Sequence, residues 1–467
     1  MFDSKTIQQK QDDIFLIDGR GDTLTYGGFM EYCRTFCRSY GLRERDFVVL
    51  LCENTVGAAR FLLACLYNRI VPLLLNGGAD GENLERYISA YRPDYIFDPQ
   101  TNDLKPLKND GKAGLYGELS LLLPTSGTTG SPKLVRHSYK NIYANAKNVA
   151  EAFGLNGSER AMLSLPVYFT QGLSVLCSHF YAGASVYLSG EALSSRAFWD
   201  SMKNGGITSF TGVPYSYEIL DKLRFYTMKL PDLSVISQGG GRLSDTLWDK
   251  LVSYAAETDK KFIATYGASE TTARMSLLQP EYASARRCSI GKPIGVYEMW
   301  LADENGDAID APNVRGELVF KGESVTLGYA ENRADLEKGD ERYGVYKTGD
   351  IAYRDEDGFY YITGRLSRFL KIFGLRIGLD ETERLLKSRF NYNLACAGND
   401  DNLYVFTSDK GLDGNEIILY LKDKLQINIS AFKVVYIDEI PKNQYGKVSY
   451  AVLDQMVQEA VKNEQSG

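Results

Sequence analysis

Residues 122–133 read Leu-Leu-Pro-Thr-Ser-Gly-Thr-Thr-Gly-Ser-Pro-Lys, an apolar strand that stops abruptly in a loop of hydroxyls and glycines. Such a loop can hold phosphates. Gly127 and Gly130 let backbone N–H groups turn toward an anion, while Thr125, Ser126, Thr128 and Thr129 add hydroxyls and Lys133 adds a positive charge. It is not the usual nucleotide P-loop, in which four residues separate two glycines and Lys-Ser/Thr follows. Here two residues separate them and Pro132 precedes the lysine. A Ser/Gly-rich surface turn is the alternative reading. Other catalytic parts are scarce. His137 and His179 are the only histidines, so a zinc site or a Ser/His triad lacks components. Cys33 and Cys37 are spaced like metal ligands, but Phe29, Phe36 and Tyr40 complete an apolar helical stripe around them, which makes them core residues. Catalysis is left to Lys, Arg, Asp, Glu and the main chain.

The elements that must position these groups alternate as in an open α/β sheet system through the first 300 or so residues. Phe47–Cys52 reads as a buried strand followed by a helix over 57–68, and 119–123 is the strand that enters the phosphate loop. Ser138 can cap a helix over Tyr139–Phe153, in which Ile142, Ala146 and Val149 share a face. A strand over 233–237 runs into Gly239-Gly240-Gly241, where something approaches the backbone closely, before Ser244 caps a helix over 245–252. After about Gly291 the pattern turns to short strands over 316–320, 352–354 and 358–362, with a hairpin signal at Asp355-Glu356-Asp357-Gly358. From Ser367 onward a new series begins over 376–390, 403–407, 416–425 and 433–437, enough for a separate domain of about 100 residues.

Composition fits this plan. A chain of 467 residues with 44% apolar and 24% charged residues reads as a soluble globular protein of two or more domains. A net charge of -7 with no basic block leaves no nucleic-acid footprint, and the longest apolar runs are strand-sized, too short to span a membrane. Seven scattered cysteines and a start without the apolar core of a signal peptide lead to the expectation of reduced thiols in the cytoplasm.

The loop at 125–133 resembles the signature of the adenylate-forming (AMP-binding) enzymes, the superfamily of acyl-CoA synthetases, luciferases and peptide-synthetase adenylation domains. Four further segments resemble that family in the same order: Tyr266-Gly267-Ala268-Ser269-Glu270-Thr271, Tyr346-Lys347-Thr348-Gly349-Asp350, Gly364-Arg365 with the loop through Gly374, and Pro441 to Gly446-Lys447. Taken singly, Ser269 could be a helix cap, Asp350 a turn aspartate and Lys447 a hairpin lysine; order and spacing argue for the family reading. The resemblance implies an α/β fold: a large N-terminal domain of stacked α/β sheets with a small β-rich subdomain over residues 1–366, and a small mobile α+β domain over 367–467. It implies an ATP-dependent carboxylate ligase that forms an acyl-adenylate and passes the acyl group to a thiol.

On that resemblance, residues 125–133, with Thr129 among the catalytic groups, would cradle the β- and γ-phosphates. Glu270 would bind Mg²⁺, a hard cation that takes oxygen ligands. Tyr266, Gly267 and Ser269 would sit at the nucleotide, the tyrosine ring against adenine. Asp350 would accept both ribose hydroxyls, as one carboxylate can from a vicinal diol, with Arg365 beside it. Gly239, Gly240 and Gly241 would let adenine and the acid lie against backbone, Lys447 would meet the α-phosphate, and the Gly374 loop would line the thiol's approach. Cofactors are then ATP, Mg²⁺ and coenzyme A, with a separate acyl-carrier protein as alternative acceptor and a catalytically silent nucleotide-binding regulator as the rival reading. Three departures feed that rival: Phe169 where many members carry histidine, Ser367 at the hinge and Tyr445 before Gly446-Lys447; Asn443 departs as well, and Thr170, where amino-acid-activating domains carry aspartate, argues against an amino-acid substrate. The acid is expected between 167–173, 212–215, 239–241 and Ala268, in an apolar slot walled by Phe169 and Tyr215 that suits a small or aromatic acid.

Overall fold

The computed structural model describes residues 9–78, 81–107, 114–124, 133–373, 375–390, 392–442 and 447–466. Among them two large sheets dominate. In the first, the parallel strands Arg160–Leu163, Ser209–Gly212, Val235–Gln238 and Lys261–Ala268 lie side by side, and Ala273–Leu278 closes one flank antiparallel. The second carries Leu119–Pro124 between the parallel Val71–Asn76 and the antiparallel Leu134–Ser138. One apolar core joins both sheets through the helices Tyr26–Tyr40, Val56–Tyr67, Tyr139–Phe153 and Thr170–Ala182. Cys33 and Phe36 are buried in it, as their helical stripe predicts.

Local chemistry sets the helix that follows the phosphate-loop segment. Ser138 Oγ accepts from the Asn141 amide at 3.1 Å while the Asn141 side chain accepts from the Ser138 amide at 2.8 Å, and Gly154 ends the helix in the left-handed region. Ser244 likewise caps Asp245–Glu257. The β-rich subdomain is a sheet containing Glu298–Ala302, Gly316–Lys321, Val345–Arg354 and Tyr360–Arg365. Its last hairpin turns at Asp355, whose side chain accepts from the Asp357 and Phe359 amides. The C-terminal α+β part has cores of its own, around Leu386, Val405 and Ile417 and around Phe406 and Leu453. Its first element differs from the single segment expected over 376–390: Leu375–Gly378 pairs as a strand with Phe369–Ile372, and the helix Leu379–Phe390 follows. No helix among the described residues is long and apolar enough to cross a membrane.

Arg136 fastens the second sheet to the segment beyond it. Its side chain has 0% exposure, and its guanidinium donates to the carbonyls of Tyr329 at 2.9 Å, Leu327 at 3.1 Å and Gly339 at 3.2 Å, and also to Lys338 and the Glu341 carboxylate. Arg136→Ala would empty a buried site and strip a donor from the part-buried carbonyls around it, so it should lower unfolding stability in urea by about 2–4 kcal/mol. A loss below about 1 kcal/mol would show that the fork is dispensable.

Candidate active site

The parallel strands of the first sheet end at one edge, where their following loops open into a cleft of 2560 Å³. Ligands of open α/β sheets bind at such carboxyl ends. Val213, Gly240, Gly241, Tyr266, Gly267, Ala268, Ser269 and Glu270 line this cleft on the large-domain side, and Arg368, Asp380 and Lys447 line it on the other.

Gly267 sits at a register shift of Lys261–Ala268, where a Cβ would fall 1.7 Å from the Ala273 carbonyl oxygen. No other residue fits there. The chain then makes one 3-10 turn over Ser269–Thr271 and passes through left-handed backbone at Thr272 (φ 59°) and Ala273 (φ 93°). Non-glycine residues in that region are strained and are held by their surroundings. Thr272 Oγ1 donates to the Ser324 carbonyl at 2.8 Å and stands 3.2 Å from His137 Nδ1. Burial holds that histidine down to about 3, so its ring is neutral at ordinary pH.

This turn presents Glu270. Its carboxylate accepts from the Tyr329 hydroxyl at 2.6 Å, and its carbonyl accepts from the Thr326 amide and hydroxyl at 2.9 Å each and from Arg342 at 3.3 Å. Lys133 Nζ lies 3.9 Å from the centre of the Tyr329 ring and 3.7 Å from the Glu331 carboxylate, so the same tyrosine touches both the lysine that closes the loop and the glutamate. Thr125, Ser126, Gly127, Thr128, Thr129 and Gly130 lie outside the described residues, as does Gly374.

Asp350 is a buried acid of the cleft, 6% exposed. Its carboxylate accepts from the Tyr266 hydroxyl at 2.5 Å and from Arg365 Nε at 2.8 Å, and its amide donates to Thr348 Oγ1 at 3.0 Å. Burial raises its pKa above the ordinary carboxylate range, and Arg365 and Tyr266 oppose this only in part. Lys447 extends into the open cleft, where crowding protein atoms and Arg365 push its ammonium below the usual lysine range while Asp350 pulls it back. Asp350, Tyr266, Arg365 and Lys447 thus meet across the seam between the large domain and the C-terminal part.

Gly240 and Gly241 line the cleft opposite, and Gly239 before them is buried. Gly240 has φ 77°, and a Cβ on Gly239 would lie 2.6 Å from Thr265 Oγ1 and 2.7 Å from Gln171 Nε2. Phe169, Thr170 and Tyr215 line the part of the cleft where the acid slot is expected. Gln171, Gln238 and Thr265 also belong to this lining, and the buried Arg274 directly follows the lining residue Ala273. Sequence reasoning missed these residues, together with Tyr329 and Arg342. The available signal was a lone arginine in the otherwise uncharged strand Ala273–Leu278, just after Glu270.

Comparison with known proteins defines first a class of fold. The structure superposes on O-succinylbenzoate coenzyme A synthetase from Bacillus subtilis in complex with AMP, with a TM-score of 0.79 at 22% identity over 95% of this chain and 96% of that one. Residues 116–330 match the family model described as AMP-binding enzyme. Among sequence relatives, the oxalate–CoA ligase of Arabidopsis thaliana is 29% identical over 89% of each chain. The 2-succinylbenzoate–CoA ligase of Bacillus licheniformis is 29% identical over 71% of this chain and 69% of its own. Over residues 116–330 the chain is thus similar to the AMP-binding enzymes, and over nearly its whole length it has the fold of that synthetase.

The enclosure of Asp350 gives a testable sign. A carboxyl whose folded pKa is raised binds its proton more tightly in the folded state, so its contribution to stability is lost as pH rises from the ordinary carboxylate value through the folded one. Asp350→Asn should therefore be at least as stable as the parent in urea at pH 7, with the parent gaining relative to the variant as pH falls through that window. A variant less stable at pH 7, with the difference narrowing on acidification, would contradict the assignment.

Proposed function

We propose that this enzyme activates a carboxylic acid with MgATP, forming an acyl-adenylate and releasing pyrophosphate, and then transfers the acyl group to the thiol of coenzyme A. The observation that carries the reading is the meeting of Asp350, Tyr266, Arg365 and Lys447 at the seam, beside the strained turn that presents Glu270. The relatives named above as CoA ligases support coenzyme A over a separate acyl-carrier protein as acceptor. All seven cysteines are free, which suits a reducing cytoplasm.

A carboxylate oxygen of the acid attacks the α-phosphorus; the bond from that phosphorus to the bridging oxygen breaks and pyrophosphate leaves with the electron pair. Asp350, which accepts hydrogen bonds from Tyr266 and Arg365, would accept those of the ribose diol, with Arg365 beside it. Gly239, Gly240 and Gly241 let the planar base and the acid approach the main chain. Residues 125–130 with Lys133 hold the leaving phosphates. Glu270 fits Mg²⁺: it lines the cleft with an uncharged hydroxyl on its carboxylate, and the ion would supply charge neutralisation at the phosphates. Lys447 brings a point charge to the developing negative charge on the α-phosphate and the acid. In the second step the thiolate sulfur attacks the activated carbonyl carbon and AMP leaves with its oxygen.

The second step calls for a different surface at the same carbonyl, and the seam is suited to re-forming. Among the described residues its polar contacts include Arg315 with Glu381 at 3.1 Å, the Arg365 amide with Asp380 at 3.1 Å, and Arg384 with the Thr363 carbonyl. Exposed ion pairs of this kind contribute little. A domain beginning at residue 367 could pivot at Leu366-Ser367, carry Lys447 away and bring the Gly374 loop toward the acyl group.

Lys447→Ala should separate the two steps. With an acid that the parent accepts, exchange of pyrophosphate into ATP should fall at least about 10²-fold, whereas thioester formation from supplied acyl-adenylate stays near the parent's rate. An equal fall in both, with circular dichroism unchanged, would contradict the pivoting role.

A further inference from the structure

Arg274 has no counter-charge. It is 3% exposed and follows the strained turn that carries Glu270. Its Nη2 donates to Thr211 Oγ1 at 3.3 Å, its guanidinium stands 4.9 Å over the Phe153 ring, and its Nε has no acceptor. Among the described residues no carboxylate lies within ion-pair distance of it, and burial alone shifts it, down to about 10, so it stays charged at neutral pH. Its titratable neighbour His179, on the helix Thr170–Ala182, offers no anion either. That imidazole donates from Nδ1 to the Val175 carbonyl at 2.9 Å and is held down to about 4 by burial and by Arg274, hence neutral. An unpaired buried guanidinium is costly to keep, and a site that keeps one awaits an anion from outside.

Its position says which anion. Thr211 Oγ1 is 2.8 Å from Ser237 Oγ on the adjacent parallel strand, and the chain just beyond these residues, at Val213, Gln238 and Gly240, lines the cleft. Gly239 joins the lining residues Gln238 and Gly240, and any side chain on it would press on Gln171 and Thr265. Gln171 Nε2 is a second buried donor without an acceptor. Two unsatisfied donors, one of them charged, therefore belong to residues of the cleft wall or directly behind it: Gln171 lines the cleft, and Arg274 follows the lining residue Ala273. We propose that the acid activated here carries a second carboxylate, and that Arg274 determines specificity by pairing with it, with the Gln171 amide as a further donor. This rests on the adenylating reading above. The near carboxylate attacks phosphorus as already described; the far one keeps its charge and its bonds throughout.

The test is acid-dependent exchange of pyrophosphate into ATP by the parent enzyme. Straight-chain dicarboxylates of two to six carbons and phthalate are each compared with the half-amide, which keeps the shape and drops one charge, and with straight-chain and aromatic monocarboxylates. At least one dicarboxylate should support exchange, with kcat/KM at least about 10²-fold above its half-amide. Arg274→Met should raise KM for that acid by a similar factor and abolish the preference over the half-amide, while KM for ATP is unchanged; Arg274→Lys should recover part of the preference. Monocarboxylates or half-amides used as well as dicarboxylates by the parent would overturn the assignment of Arg274 while leaving the adenylating reading intact. Exchange with no acid of any class would overturn that reading, and the inference with it.

Discussion

Enclosing the Asp350 carboxylate at the seam is the constraint around which the site is arranged. Withdrawing the charge from water is unfavourable, which its raised pKa records, and two hydrogen bonds offset only part of that penalty. Those two bonds come from strands of different sheets. Tyr266 belongs to the first large sheet, while Arg365 lies opposite Asp350 in the register of the β-rich subdomain. The carboxylate thus couples the subdomain to the sheet, and the chain leaves Arg365 directly into the C-terminal part. A ligand offering two hydroxyls could satisfy the same acceptor and relieve the same penalty.

Strain supplies the second half of the arrangement. The shift at Gly267, which admits no side chain, lets Lys261–Ala268 and Ala273–Leu278 pair closely on both sides of the turn. The left-handed residues Thr272 and Ala273 then reverse the chain within a single 3-10 turn, so that Glu270 lines the cleft while Arg274 is buried. Tyr329 connects this turn to Lys133 and, through the Arg136 fork, to the second large sheet. Carboxylate, guanidinium and ammonium are thereby separated by short stretches of stiff backbone, as pre-organised electrostatics requires.

Features with a local signature were legible in the sequence. The strand entering residue 125, the Ser138 cap, the Gly239–241 run and the turn at Asp355 each rest on neighbours a few residues apart. The alternation of apolar runs was enough for an α/β plan. Pairings across the chain were not legible. Tyr266 reaches Asp350 from 84 residues away and Arg136 reaches Glu341 from 205, and no periodicity encodes either. The strand Leu375–Gly378 was merged with its helix because Gly378 alone marks the break and the strand needs Phe369–Ile372 as a partner. The polar residues of the cleft wall, and Arg274 behind it, escaped notice for a similar reason. An arginine within an otherwise uncharged strand signals burial, but which group it lacks appears only once the surrounding strands and helix are in place.

The central claim is that Asp350 is built to receive the two hydroxyls of a ribose. The direct measurement is calorimetric binding of AMP and of 2′,3′-dideoxy-AMP to the full-length enzyme and to Asp350→Asn. The parent should bind AMP at least about 10²-fold more tightly than the dideoxy analogue, and the variant should bind both alike. Equal affinity of the parent for the two nucleotides would contradict the account.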